Sequence, residues 1–337
     1  MRRTHIAAAL AALVALSGAP AGAEETRLIF ATVSPPNFPT NVLVHHPWAA
    51  RINEQGKGVL QLDVRDGPSI ANQGNFYARV VNDVVQVSWG LQGPLGGLFP
   101  RTEVAAMPFV PETSRNRSVA LWRLYKSGLL DAEYEEIVPL ALVAFPHNGV
   151  HTAKPLKAAD DIAGVKLIVT SKLVGQAITR LGATPMTIPL LETYESLQRG
   201  TVDGVVTAWT AVEPLKLQEV TTYHVDTELG GGTGVLLMAK KRFAALPDAA
   251  RAVLDANSGE GHTRAFGAFW DGEQEKGRAI VAAVPGRHTI VGLTPEQDAR
   301  WRRLAGPVAE EWAKNAPNGE EILSRYRALV AEVKAGR

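Results

Sequence analysis

Apolar and polar positions change period along this chain, and the clearest change lies in its middle. Over 164–169, Val165, Leu167 and Val169 alternate with Lys166 and Ile168, the pattern of a mostly buried strand. From 174 to 181 the apolar residues recur at helical spacing and stop at Gly182, a residue suited to ending a helix. A second helix begins near Leu191 and ends at Gly200, and 202–206 returns as a strand. The stretch is one α/β unit: strand, helix, short strand, helix, strand. Ligands of such units sit at the strand ends.

The same alternation of periods runs before and after it. Strands are predicted at 27–32, 59–64 and 84–89, the last delivering Trp89 at its carboxyl end. Helices are predicted at 47–55 and 76–81, so the order β-α-β-α-β implies a parallel sheet covered by helices. A helix at 116–126, a strand at 140–145 and a crossing segment at 145–150 lead into a second domain. There a helix at 212–219 and strands at 223–225 and 233–239 follow. A helical pattern then runs from 247 to 284. Thr294-Pro295-Glu296 reads as a helix start, with Thr as cap and Pro at the first position. The last helix is predicted at 320–333. The chain has no solenoid repeat, low-complexity tract or heptad run.

The first residues carry an address. Arg2 and Arg3 precede an apolar run, 6–16, too short to span a bilayer, and Ala21-Gly22-Ala23 fits cleavage before Glu24. A signal peptide over 1–23 and a periplasmic mature chain are expected. The 337 residues hold 35 Lys+Arg and 34 Asp+Glu, a net charge of +1. Loss of Arg2 and Arg3 leaves 33 against 34, or −1. Near-neutrality gives no argument for nucleic acid or a membrane surface. With no cysteine, disulfides, thiolate metal sites, cysteine nucleophiles and a lipoprotein anchor are excluded.

No motif reads as catalytic. The glycine clusters 93–97 and 230–234 lack the Lys-Ser/Thr of a phosphate loop and the glycine order of a dinucleotide site. No Gly-x-Ser-x-Gly elbow occurs. His45 and His46 are adjacent and point to different faces, and Gly149 keeps His147 and His151 off a common helix. No catalytic residue, cofactor or metal ligand is assigned. A pocket for a small solute instead needs a few donors and acceptors on an apolar or aromatic wall. Candidates at strand ends are Gln73, Trp89 and Gln92 in the first domain, and Phe145, His147 and Asn148 at the crossing. Ser171, Thr207, Trp209 and Thr210 are the candidates in the second.

Three segments resemble one family, the solute-binding subunits of tripartite ATP-independent periplasmic (TRAP) transporters of the DctP type. They are Asp160-Asp161-Ile162-Ala163-Gly164-Val165-Lys166-Leu167, Leu181-Gly182-Ala183-Thr184-Pro185 and Leu197-Gln198-Arg199-Gly200-Thr201-Val202-Asp203-Gly204; Ala106-Met107-Pro108-Phe109-Val110 resembles the family's Leu-Pro-Phe/Tyr turn. The resemblance covers roughly 26–330. It implies an α/β fold of two lobes, a type II-like periplasmic binding protein with mixed sheets. Several chain crossings are expected, with 233–239 returning to the first lobe and a long helix bracing both. Lobe I would comprise 26–148 and about 233–280, lobe II 149–232 and about 281–337. The ligand contacts it implies match the strand-end candidates and add Leu190 as a wall residue. It further implies capture of an organic acid without reaction, and delivery to the small and large membrane subunits of a permease. A monomer is expected. Two other readings are a secreted enzyme on the same scaffold and a sensor feeding a kinase.

One position departs from the family. Most members place an arginine for the ligand's carboxylate where this chain has Ile168. A guanidinium grips a carboxylate through two bonds; an isoleucine offers none. Either another group takes the charge, with Lys172, His147, His151 or helix-start amides as candidates, or the ligand is atypical in its anionic group.

Overall fold

Two sheets, each fed by separate stretches of chain, set out the molecule. The computed structural model describes residues 25–284 and 286–337. The expected leader and its cleavage site after Ala23 lie outside them.

The first sheet starts with β1 (Thr26–Ala31), which buries Leu28 and Phe30. Around it lie a π-type turn at Asn41–His45, α1 (His46–Gln55), β2 (Leu60–Arg65) and α2 (Phe76–Val81). β3 (Val87–Leu91) differs from expectation. Asp83 adopts φ 56°, and the amides of Val84 and Val85 both turn back to the Arg79 carbonyl. The apolar residues at 84–85 thus close α2 as a turn, and Trp89 sits within the strand rather than at its end. α3 (Ser114–Lys126) and β4 (Ile137–Ala144) complete this part.

The chain then crosses into the second sheet through β5 (Gly149–Thr152), β6 (Lys166–Ile168), α4 (Lys172–Arg180), β7 (Thr184–Met186), α5 (Thr193–Gln198), β8 (Gly204–Thr207), α6 (Leu217–Val220) and β9 (Tyr223–Asp226). The central strand-helix-strand-helix-strand unit is present as expected. The helix expected at 212–219 shrinks to α6, because Pro214 lacks an amide hydrogen and Lys216 takes φ 54°. β10 (Thr233–Ala239) returns to the first sheet and inserts antiparallel between β3 and β4. The strand order is β2-β1-β3-β10-β4, with β1 parallel to β2 and β3. The first sheet is therefore mixed.

After α7 (Lys240–Ala244) the long helical pattern divides into α8 (Asp248–Ala256) and α9 (Gly259–Ala282). Gly259, at φ 78°, breaks it, and the carbonyl of Asn257 freed there accepts a bond from Trp48 Nε1 at 2.7 Å. α9 braces both parts, packing on α3 and β4 and on the short turn Trp209–Ala211. β11 (Thr289–Gly292) closes the second sheet, whose order is β11-β9-β5-β8-β6-β7. α10 (Pro295–Ala305) starts in a reciprocal cap between Thr294 and Gln297, as the Thr-Pro-Glu signal implies. α10 and α11 (Pro307–Asn315) lie on α4, but α12 (Gly319–Lys334) runs back onto α3, with the Tyr326 hydroxyl donating to the Arg117 carbonyl. The expectation that 281–337 belong with the second lobe fails for this last helix. Tyr326, Leu329 and Val330 are buried on this helix, which packs on α3 of the first lobe as well as on α11.

Candidate functional site

Two strands of backbone cross between the sheets side by side. The first is 145–148, the second 227–232. Phe145 N–H donates to the Gly232 carbonyl at 2.9 Å and Asn148 N–H to that of Gly230 at 2.7 Å. Gly231 must be glycine here, since a Cβ would stand 2.6 Å from the Phe145 carbonyl oxygen. This paired ribbon is where the lobes meet, and the candidate residues gather or scatter around it.

Aromatic side chains collect on its first-lobe side. Phe145 lies 4.6 Å from Trp270 of α9 and 6.3 Å from Trp89, centroid to centroid. Trp89 in turn packs 4.5 Å from Phe266 and 5.6 Å from His45. Several buried polar atoms beside the ribbon have no partner within the described residues: Trp270 Nε1, Gln274 Oε1, His147 Nδ1 and Arg117 Nε. The other donors of Arg117 hold the carbonyls of Phe145 at 3.1 Å and Ala105 at 2.6 Å. This guanidinium is fully buried and has no carboxylate partner among the described residues. His147 donates from Nε2 to the Val110 carbonyl at 2.6 Å. Burial, and then the charge of Arg117, hold its ring well below the usual histidine range. The ring is therefore held toward its neutral form in this structure.

The second-lobe candidates divide. Asn148 is 5 % exposed, and its side-chain amide has no partner within the described residues. Thr207 ends β8 directly opposite Gly149, so Asn148 and Thr207 stand at the same end of the sheet. Trp209 goes elsewhere. It is 2 % exposed, its indole N–H donates to Asp226 at 2.7 Å, and its ring packs with Val205, Val212 and Ile168. Thr210 follows it, half-buried, in the short turn. Ser171 caps α4, its hydroxyl accepting from Val174 N–H at 3.2 Å. Leu190 is half-buried in the single turn ahead of α5. In the first lobe, Gln73 accepts from Leu91 N–H at 2.9 Å, and Gln92 donates to the Tyr134 hydroxyl at 3.0 Å while its buried Oε1 has no partner among the described residues. The structure thus brings Trp89, Phe145, Asn148 and Thr207 toward the crossing, while Trp209, Ser171, Gln73 and Gln92 have partners of their own.

Electrostatics follow from what faces the gap. Ile168 is wholly buried between Val205 and Met186 and carries no charge. Lys172, at the start of α4, is exposed and makes no ion pair within the described residues. It faces Glu103 of the first lobe, whose carboxyl burial pushes up and the Lys172 charge pulls back. The edges come close here: a Cβ at Gly93 would lie 3.6 Å from the Thr170 carbonyl oxygen.

Sequence reasoning missed Arg117, Trp270 and Gln274. The last two sit four apart on α9, hence on one face, so helical period could have paired them. Arg117 left no signal, because only the fold places α3 under the crossing. Among the described residues no group of three or more His, Asp or Glu is arranged to hold a metal ion.

Comparison with known proteins now bears on this arrangement. The model of the DctP family, described as bacterial extracellular solute-binding protein, family 7, matches residues 30–315. The outer membrane transporter protein TsaT of Comamonas testosteroni is 29 % identical over 330 residues, covering 95 % of this chain and 96 % of its own. A TRAP solute binding protein from Rhodoferax ferrireducens T118, solved with copurified benzoate, superimposes with a TM-score of 0.84 at 26 % identity, covering 93 % of this chain and all of the other. A TRAP solute binding protein from an unidentified marine microbe, specific for aromatic acid ligands, gives a TM-score of 0.84 over 91 % of this chain and 99 % of its own; at 24 % identity it speaks for the fold alone.

Proposed function

The chain belongs to family 7 of the bacterial extracellular solute-binding proteins, the DctP family, and from that premise we propose that it captures a small organic acid with an aromatic body and hands it to a TRAP permease. As a member it is a transport receptor and not an enzyme. The mature protein works in the periplasm after loss of residues 1–23. Its partners are the solute and the small and large permease subunits, and it acts as a monomer.

The observation that carries the ligand class is the aromatic wall at the crossing. Phe145 and Trp270 lie 4.6 Å apart, and among the described residues the Trp270 indole N–H has no hydrogen-bond partner, beside the buried Asn148. Flat apolar rings favour an aromatic guest, and free donors favour a guest that accepts. The benzoate held by the Rhodoferax ferrireducens protein fits that chemistry. Closure of the lobes over the guest would then be driven by contacts made only in the closed form.

A thermal-shift panel tests it. Benzoate, 3-hydroxybenzoate and mandelate are compared with succinate and with benzamide. A ligand at a hundredfold excess over its Kd stabilises by about 2.7 kcal/mol, a readable shift. Aromatic carboxylates should raise the melting temperature; a shift with succinate or benzamide alone overturns the proposal.

A further inference from the structure

Three histidines from neighbouring strands form one hydrogen-bonded file in the second sheet. His151 of β5 directs Nε2 to the Thr207 carbonyl at 3.1 Å. Its Nδ1 lies 2.9 Å from Nδ1 of His224 on β9. His224 Nε2 lies 3.2 Å from Nδ1 of His288, just before β11. The two inner rings are fully buried and the outer one is partly exposed. Trp209 packs on both inner rings, 4.7 and 5.2 Å away. The strands are already paired through their backbones, so the file is not needed to hold the sheet.

Valence fixes its direction. A carbonyl only accepts, so His151 carries its hydrogen on Nε2. As a neutral ring it must then accept at Nδ1, which puts the His224 hydrogen on Nδ1. His224 Nε2 accepts in turn from His288 Nδ1–H. Three neutral rings supply three hydrogens to three bonds, and His288 is left with a bare Nε2 on its exposed side.

A proton taken there can travel inward without any ring turning. His288 gains it on Nε2 and passes its Nδ1 hydrogen to His224 Nε2. His224 passes its own Nδ1 hydrogen to His151 Nδ1. Each bond persists with donor and acceptor exchanged, and the one added charge rests on His151. The Thr221 carbonyl beside the His288 ring raises that ring's affinity for a proton and so favours entry there. His151 is at the cleft end of the sheet: its Nε2 would touch a side chain at Gly149, at 3.3 Å, next to Asn148. Ile168, two strands away on the same sheet, brings no charge.

Resting on the carboxylate-receptor reading above, we infer that this file supplies the counter-charge an arginine would: capture of a carboxylate draws one proton through His288 onto His151. The empty receptor is neutral there. Burial holds His151 to about 4 and, with the neighbouring histidines, His224 to about 3. Asp226 pulls His151 upward but is engaged by Trp209 Nε1 and by Arg278 of α9 at 3.0 Å. Lys276 of α9 is paired with Glu213 at 2.8 Å. Arg287 flanks and depresses His288 while donating to the Glu219 carbonyl of α6. β8 faces the file with Val205 and Thr207, and β6 with Ile168, none of them charged. A bound carboxylate is thus the added anion that tips the balance.

Calorimetry with benzoate as probe, on the mature chain in buffers of different ionisation enthalpy, tests this. Near pH 6, uptake of close to one proton per benzoate is expected, with Kd rising about tenfold per pH unit through the window of uptake. His151→Gln keeps a donor for Thr207 and an acceptor for His224 but cannot be protonated, so it should fold, bind more weakly and take up no proton. Benzoate bound with no proton uptake by the wild-type chain, or uptake surviving in His151→Gln, overturns the inference and leaves the receptor reading standing. Failure of every carboxylate of the panel to bind from pH 5 to 8 brings both down.

Discussion

Arg302 of α10 holds its guanidinium 5.0 Å above the ring of Phe109 and bonds Glu228 of the second crossing at 2.6 Å. Phe109 takes φ 61°, a costly backbone for a bulky side chain, and donates its amide to the Glu228 carbonyl at 2.7 Å. One side chain thus clasps the first-lobe turn and the crossing together. The ion pairs of Arg302 are about a third exposed, so solvent screens them and the contact over the ring matters as much. Arg302→Met should cost about 1 kcal/mol, read as a lower urea midpoint. Arg300→Met, which removes a bond to Asp160 away from the crossing, serves as the control for the ribbon's mobility. Faster amide exchange at 145–148 and 227–232 is expected in Arg302→Met alone; equal exchange in both variants refutes the clasp.

The two tryptophans at the lobe junction should separate stability from binding. Trp209 spends its indole N–H on Asp226, which keeps its pair with Arg278, so Trp209→Phe removes one charge-assisted bond and should lose about 1 kcal/mol of stability. Its effect on benzoate affinity should stay within about threefold, since the lost bond lies in the core. Trp270 is the reverse case. Its buried N–H has no partner within the described residues, so Trp270→Phe removes an unsatisfied donor at little cost to stability. Benzoate affinity should fall by about tenfold, the worth of one hydrogen bond. Equal losses of affinity in both variants would place the guest elsewhere.

Much of the fold was legible because its elements obey simple periods. β10 and α2 fall at the residues that alternation and helical spacing name, and Gly182 and Gly200 stop α4 and α5 with left-handed backbones. The failures have local causes that hydrophobicity does not record. Val84 and Val85 look like strand but serve a turn, and Pro214 and Gly259 cut helices that pattern alone would continue. The site was less legible. Strand-end position nominated Trp89, Phe145, Asn148 and Thr207, which lie toward the crossing, and Trp209, which does not, because it cannot tell a side chain facing the gap from one turned into a core. Trp209 is the instructive case: its place past β8 suits a ligand, and Asp226, seventeen residues on, claims its indole. The histidine file joins three strands whose residues are 73 and 64 apart, a spacing without period.

The crossing ribbon has its own test. The Cβ that Gly231→Ala adds would stand 2.6 Å from the Phe145 carbonyl oxygen and 2.7 Å from that of Pro146, both backbone atoms that cannot swing away. The strands must part, and overpacking of this kind costs about 1–3 kcal/mol. The melting temperature should fall, and benzoate should bind more weakly because Phe145 and Asn148 move with the ribbon. Gly292→Ala, at an open position with nothing within 4 Å and, like Gly231, no left-handed backbone, gauges the general penalty of replacing such a glycine. If Gly231→Ala is no worse than that control, the two crossings are not held as closely as the geometry requires.

Acid should unfold the protein through its buried histidines. Burial first, then neighbouring positive rings or Arg51, hold His45, His224 and His262 to about 3, and burial holds His151 to about 4. In the unfolded chain each returns to 6.5. Between those values the unfolded state binds more protons than the native one, so stability is present above pH 6.5 and is lost as pH falls toward the native values. Each ring removes about 1.4 kcal/mol per pH unit within that window. The buried carboxylates Glu103, Glu133 and Asp271 are raised by burial and act in the opposite sense as pH falls through their raised native values toward the usual carboxylate range. The urea midpoint should therefore drop steeply from pH 7 to pH 5. His45 offers the cleanest variant, since neither ring nitrogen has a partner among the described residues and the ring is packed edge-on against Phe30 at 5.3 Å and Phe266 at 5.5 Å. His45→Phe keeps that packing and removes a protonation site, so it should be more stable than wild type at pH 5 and give a shallower slope. An unchanged slope would mean that this histidine is already charged, or solvated, in the native state.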